Sequence, residues 1–264
     1  MKLLKAVFLV FLILKGDFLK AQNSQLISGV YHLDSIAAKQ PAGANEKPKL
    51  LGGTTDLTQL SFHSSTLAPG KTNHPLRALP DREELIIVKD GQLTLTVNGS
   101  RKLLSTGSIA LIVAGDEQSF SNASDKPASY YVLGFKSTLP VNISRGKDSG
   151  GSIMKDWAEL LVKKTIKGES RPVFDRASSM FERFEVHATN LNASQESHPA
   201  HSHRAEEIML LLKGEVTMHI GQENYKALSG SLIFVTPNVV HNLTNTGSEP
   251  CSYYAIKWYN DGVK

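Results

Sequence analysis

The chain has 264 residues, of which 41% are hydrophobic and 20% charged. It is long enough for two domains with cores of their own, and its ordinary composition excludes a disordered or fibrous chain. The formal charge of +4 falls to +1 (25 basic minus 24 acidic) once residues 1–21 are set aside. No basic-aromatic stripe runs along the rest, so nucleic acid is not an expected partner.

Residues 1–21 read as a secretory signal peptide. Lys2 and Lys5 form a basic start, and Ala6 to Leu14 is an apolar run that Lys15, Gly16 and Asp17 end. The run is well short of the roughly 20 apolar residues of a membrane span. Cleavage is expected after Ala21, with an uncleaved anchor as the alternative. The expectation is therefore an exported protein, periplasmic or extracellular, with no membrane contact after cleavage. Cys251 is the only cysteine, which leaves no internal disulfide. It reads as a small buried apolar residue.

Residues 22–45 are polar, with Gly and Pro, and read as an extended N-terminal arm lying on another part of the chain. Leu57 to Leu67 alternates weakly, as first strands do, and Glu84 to Val88 is apolar enough for a buried strand. Leu93, Leu95 and Val97 alternate with threonines and lead into Asn98-Gly99, a two-residue hairpin signal. Ile109 to Val113 and Tyr130 to Phe135 complete a first set of strands. Residues 138–172 form a linker in which Ile153 to Leu161 has spacing compatible with a short helix, capped by Ser152. Asp148-Ser149-Gly150-Gly151 imitates a serine-protease motif, but nothing else supports a triad. A second set of strands follows, with a hairpin at Gly221-Gln222, a run from Leu232 to Val235 and a last strand from Tyr253 to Trp258.

The second set repeats the first. An offset of 123 pairs Glu83-Glu84 with Glu206-Glu207, Gly91 with Gly214, Gly107-Ser108 with Gly230-Ser231, Asn122 with Asn245, and Ser129-Tyr130-Tyr131 with Ser252-Tyr253-Tyr254. Upstream the offset is 124, pairing His63 with His187 and His74-Pro75 with His198-Pro199. One residue is therefore inserted in the first copy between Pro75 and Glu83.

The copies differ where metal chemistry would sit. In the second, His201, His203 and Glu207 are followed one hairpin later by His241. Histidines one residue apart on a strand point the same way. Three imidazoles and a carboxylate form a ligand set for one divalent transition metal. In the first copy only Glu84 remains: Gln118 replaces His241, and either Ala78 and Pro80 or Arg77 and Leu79 replace the other two histidines. That copy is expected to hold no metal. His198 lies near the mouth of the expected site, and His219 faces outward on its strand.

His-x-His, three residues, Glu207, six residues, Gly214 resembles the first cupin motif. Gly230, His241 and Asn245 resemble the second, with Thr236 at its proline and Asn238 at its glycine. Asn tolerates positive φ, so it is a plausible stand-in there. The chain is thus similar to the bicupins. The resemblance implies an all-β fold of two tandem cupin (double-stranded β-helix, jelly-roll) barrels, residues 46–137 and 173–264, with the metal in the second. Bicupin ureidoglycine aminohydrolases also keep one metal site, in the second barrel, but with Glu, His, His and Gln in another order. Oxalate-decarboxylase-like bicupins carry the His-His-Glu-His set, commonly in both barrels.

The resemblance further implies one divalent transition metal (Mn, Fe, Ni, Co or Zn) held by His201, His203, Glu207 and His241. The expected function is that of a metal-dependent enzyme acting on a small oxygen-rich molecule such as a carboxylate, a phenol or a sugar acid. The alternative is a non-catalytic small-ligand or sugar-binding module with a structural metal, since the fold does not fix the activity. Catalytic residues are not legible. The expected partner is a small-molecule ligand or substrate, and the expected assembly is a monomer or a homodimer.

Overall fold

A computed structural model describes residues 24–33 and 49–260. The expected signal segment 1–21 and most of the arm lie outside the described residues. Strand β1 (Gly29–Tyr31) precedes the first barrel, which comprises β2 (Lys49–Gly52), β3 (Leu57–Leu67), β4 (Arg77–Ala78), β5 (Glu83–Asp90), β6 (Gln92–Val97), β7 (Ser100–Ser105), β8 (Ile109–Ile112), β9 (Glu117–Ser121) and β10 (Ala128–Ser137). Helix α1 (Ile143–Asp148), β11 (Ile153–Lys155) and β12 (Lys163–Thr165) connect it to the second barrel. That barrel comprises β13 (Gly168–Arg176), β14 (Arg183–Leu191), β15 (Glu206–Lys213), β16 (Glu215–Ile220), β17 (Glu223–Leu228), β18 (Leu232–Val235), β19 (His241–Asn245) and β20 (Cys251–Tyr259). The expected all-β class, with a short helix between two barrels, is what the chain adopts.

Each barrel is a large sheet facing a small one. The first has the six-stranded order β11-β8-β5-β10-β3-β2 over β4-β9-β6-β7, and the second the seven-stranded order β1-β18-β15-β20-β14-β13-β12 over β17-β16-β19. The edge strands are exchanged. Strand β1, from ahead of the first barrel, pairs with β18 of the second, and β11, from ahead of the second, pairs with β8 of the first. Residues 29–31 of the arm thus lie on the opposite barrel, and exchange covers one edge of each large sheet.

The period of two in the central strands divides their side chains between two cores. Ile208 and Leu210 of β15 join Leu85 and Ile87 of β5 in a core shared by both barrels. Met209 and Leu211 face the interior of the second barrel, and Ile86 and Val88 that of the first. The shared core is rich in aromatics. Phe135 meets Phe181, Phe184 and Trp258 at ring separations of 5.3–5.7 Å, and edge-to-face pairs of this kind add roughly 0.5–1.5 kcal/mol each beyond burial.

Polar contacts cross the same junction. Tyr254 donates to the Gly107 carbonyl at 2.8 Å. Glu206 Oε2 accepts from Thr54 Oγ1, Asp56 N and Trp258 Nε1, and Oε1 from Thr55 N. Its counterpart Glu83 accepts from Ser179 N at 2.5 Å. In each Glu-Glu pair, the first carboxylate faces the other barrel and the second faces its own interior.

The linker departs from expectation. Ile153 to Leu161 is the strand β11 followed by a single 3-10 turn at Trp157–Glu159, not a helix. Ile153 and Met154 complete a sheet edge against Leu111 and Ala110, and Asp156 caps the turn through Ala158 N. Ser152 caps no helix: it donates to Asp116 and accepts from Val113 N. The helix lies earlier, capped by Asn142, whose Oδ1 accepts from Arg145 N.

Candidate metal centre

Strand β15 carries Glu207 on its inward face, β19 begins with His241, and the segment leading into β15 carries His201 and His203. The His-x-His segment is extended without being part of a regular strand. His201 exchanges both main-chain hydrogen bonds with His241, at 3.1 and 2.8 Å. Two residues on, Asn238 N donates to the His203 carbonyl at 2.7 Å. Asn238 sits at φ +62°, the left-handed conformation expected of a glycine substitute. These three contacts bring the two motifs together.

The three imidazole rings form a triangle with centroid separations of 4.8, 5.0 and 5.3 Å. Their candidate ligand atoms lie within 4.8 Å of one another. Glu207 Oε2 is 3.1 Å from both His203 Nε2 and His241 Nε2. The other ring nitrogens are committed. His203 Nδ1 contacts the Ala205 carbonyl at 3.0 Å, and His241 Nδ1 the Val239 carbonyl at 2.8 Å. A carbonyl only accepts, so each Nδ1 carries the proton and each Nε2 is left to face the carboxylate. Two ring nitrogens directed at one carboxylate oxygen are satisfied by a positive charge between them, whether a proton or a metal ion. The donor set fits a divalent transition metal.

The electrostatics agree. Glu207 is buried, which would raise its pKa, but contacts from His203 and His241 outweigh burial and hold it far below the usual carboxylate range. Burial would lower His241, yet Glu207 and the Val239 carbonyl raise it. Burial lowers His201, with neighbouring His198, His241 and His203 adding to the effect.

His198, from the repeated His-Pro pair, is a fourth imidazole at the centre, its ring 4.2 Å from that of His201. The repeat was its only signal in the sequence. His219 is half-exposed and contacts Asn224, away from the site.

Beside His203 lies a cavity of about 350 Å³ lined by Arg183, Glu185, Arg204, Lys257 and Tyr259. Sequence reasoning missed Lys257 and Glu185, and the register supplies them: Glu185 pairs with Lys257 and Lys257 with Glu207, so all three project into the barrel. Arg183 is bound bidentately to Asp175 and Arg204 to Asp56. Among the described residues, Lys257 has one carboxylate partner, Glu185 at 3.3 Å. A hydrogen bond from His187 chiefly holds Glu185 down, at about 2, with Lys257 assisting against burial.

In the first barrel, Arg77 pairs with Gln118 as His201 does with His241. The Leu79 carbonyl accepts from Gly115 N as that of His203 does from Asn238 N. Arg77 and Leu79 are therefore the counterparts of the two histidines, and the inserted residue lies between Leu79 and Glu83.

The family model for the cupin domain matches residues 63–134 and again 189–257. The chain belongs to the cupin family, with two cupin domains in tandem. No curated protein matches it. Among solved structures it is similar to protein Ylba from E. coli, at 15% identity and a TM-score of 0.67, over 95% of this chain and 99% of that one. It is also similar to a mutant of the Bacillus subtilis oxalate decarboxylase OxdC, at 11% identity and a TM-score of 0.63, over 91% of this chain and 80% of that one. A third is a mutant salicylate 1,2-dioxygenase from Pseudoaminobacter salicylatoxidans in complex with gentisate, at 14% identity and a TM-score of 0.58, over 90% and 83%. These likenesses show the fold.

Proposed function

We propose that this chain is an exported metal-dependent enzyme whose second barrel acts on a small oxygen-rich acid. The observation that carries the reading is the convergence of His203 Nε2 and His241 Nε2 on Glu207 Oε2, with both Nδ1 atoms tied to main-chain carbonyls. His201, His203, Glu207 and His241 would hold one divalent metal of the Mn, Fe, Co, Ni or Zn series. When bound, such an ion supplies Lewis acidity or a dioxygen site at its open positions.

The chain's own residues do the rest. Lys257, projecting beside Glu207, receives the carboxylate of the substrate, and Glu185 holds the ammonium in place. Two proteins similar in fold, an oxalate decarboxylase and a salicylate 1,2-dioxygenase in complex with gentisate, are named for small acids, which favours this substrate class. Export rests on the N-terminal residues Lys2 to Ala21. The enzyme would work as a monomer or a homodimer, since two fused barrels already cover each other's inner sheet.

A second reading, a small-ligand-binding module with a structural metal, draws on the backbone bridge between His201 and His241. An ion across that bridge would staple two loops. Metal removal separates the readings: the enzyme loses turnover and keeps its fold, whereas the module loses thermal stability. The test is elemental analysis of the mature protein beside His203→Ala, with oxygen-uptake and carbon-dioxide-release assays on small acids and catechols. Equal metal content in parent and variant would remove the basis for the site.

A further inference from the structure

The first barrel holds a cavity of about 350 Å³ where the second holds its histidines, and its walls are polar. Arg77, Leu79 and Gln118 stand at the positions of the three imidazoles. A guanidinium keeps its charge and offers no lone pair, and leucine offers no donor. These three counterparts hold no metal ion, yet the cavity is lined by a cation, Arg77, a carboxylate, Glu84, and two imidazoles, His63 and His74. It is also of ordinary size for a small-molecule site.

Two of its groups, His74 and Arg77, and the neighbouring Gln118 have side-chain atoms that lack partners among the described residues. His74 Nδ1 contacts the Pro75 carbonyl at 2.7 Å, which places the proton on Nδ1 and makes Nε2 a pure acceptor. That Nε2 is buried with nothing to accept from, and Phe120, at a ring separation of 5.5 Å, braces the imidazole. Gln118, 1% exposed, spends its Nε2 on Glu84 and leaves its carbonyl oxygen buried and unpartnered. The Arg77 guanidinium makes no hydrogen bond or ion pair with another described residue, although its main chain pairs with Gln118. Buried acceptors are almost always satisfied, so His74 Nε2 is placed to accept from a donor that enters the cavity.

We propose that the first barrel is a second, metal-independent site that binds a small polyhydroxy carboxylate. Its carboxylate sits on Arg77 at the mouth, where a planar fork matches it bidentately. Its hydroxyls reach inward to His74 Nε2 and Glu84. This assignment does not depend on the second barrel's being an enzyme, because its groups belong to the other copy.

The experiment is calorimetric titration of gluconate into full-length, chelator-treated protein carrying His203→Ala and Lys257→Met, which remove a metal ligand and the proposed carboxylate anchor of the second barrel. Saturable binding is expected to persist, to weaken at least 10-fold in Arg77→Met and in His74→Phe, and to be at least 10-fold weaker for acetate, which lacks hydroxyls. Arg77 is exposed, so Arg77→Met keeps the fold, and its unchanged melting temperature serves as the control. No binding of gluconate overturns the proposal. So does binding that ignores Arg77→Met, binding that is lost with His203→Ala alone, acetate binding as tight as gluconate, or binding of serine in place of gluconate.

Discussion

Gln118 donates from Nε2 to Glu84 Oε2 at 2.8 Å, in the place where His241 Nε2 stands 3.1 Å from Glu207 Oε2. The two barrels thus set a nitrogen from the facing strand against the same carboxylate oxygen. An amide nitrogen has hydrogens and no available lone pair. It satisfies the buried carboxylate within the protein, which an imidazole with its proton on the far nitrogen does not.

That difference does not stand alone. Gln118→His would return one imidazole to the first barrel but leave Arg77 and Leu79 where His201 and His203 would be needed. The single variant is expected to show the metal content of the parent. The triple variant Arg77→His, Leu79→His, Gln118→His is expected to gain one equivalent. Elemental analysis of both decides it, and a gain in the single variant would show that two histidine positions are dispensable.

Asn238 holds φ +62° while donating to the His203 carbonyl. Asn238→Gly meets that conformation without strain and is expected to leave stability within about 0.5 kcal/mol. Asn238→Val places a β-branched residue in the left-handed region and is expected to cost roughly 1–2 kcal/mol. It should also weaken metal affinity, because the turn positions His203. Urea unfolding and a competitive metal titration read the two effects, and equal behaviour of Gly and Val would end the account.

Most of the two-barrel fold was legible because it is written twice: the constant offset carried strand assignments from one copy to the other. Asn98 and Gly99 take the positive φ values that the hairpin signal requires. Cys251 is buried, and burial pushes its thiol up to about 11. The exchanged edges were not legible. Strands β1 and β11 have three residues each, too few for a period to show, and their partners are remote in sequence. Ile153 and Trp157, four apart, imitate a helix face while packing as strand and turn. Lys257 escaped notice because its relation to Glu207 is a cross-strand register that no local spacing reveals.

The Lys257 ammonium has one ion-pair partner among the described residues, at 3.3 Å, and the cavity beside it. Removing a charge-assisted contact of about 1.5–3 kcal/mol corresponds to roughly 10- to 100-fold in binding. Lys257→Met is therefore expected to raise KM for an acidic substrate by at least about 10-fold while metal content stays at the parental level. Steady-state kinetics with elemental analysis checks it. Loss of metal in Lys257→Met would make the residue a support of the centre instead of a substrate anchor.

Glu83, like its counterpart Glu206, is a buried carboxylate at the junction. Its Oε1 accepts from Ser179 N, and its Oε2 has no partner among the described residues. Burial raises its pKa from about 4.5 to about 7, against the lowering effect of its hydrogen bonds to Ser178 and Ser179. The folded chain therefore keeps a proton that the unfolded chain releases between those values. Since stability falls with pH wherever the folded state binds more protons, the contribution of Glu83 is complete below about pH 4.5 and lost as pH rises to about 7. Glu83→Gln cannot titrate and lacks this slope. Urea unfolding of parent and variant from pH 4.5 to 7.5 should show the parent losing ground to the variant as pH rises. A stability difference constant across that range would mean that Glu83 titrates alike in the folded and unfolded chain.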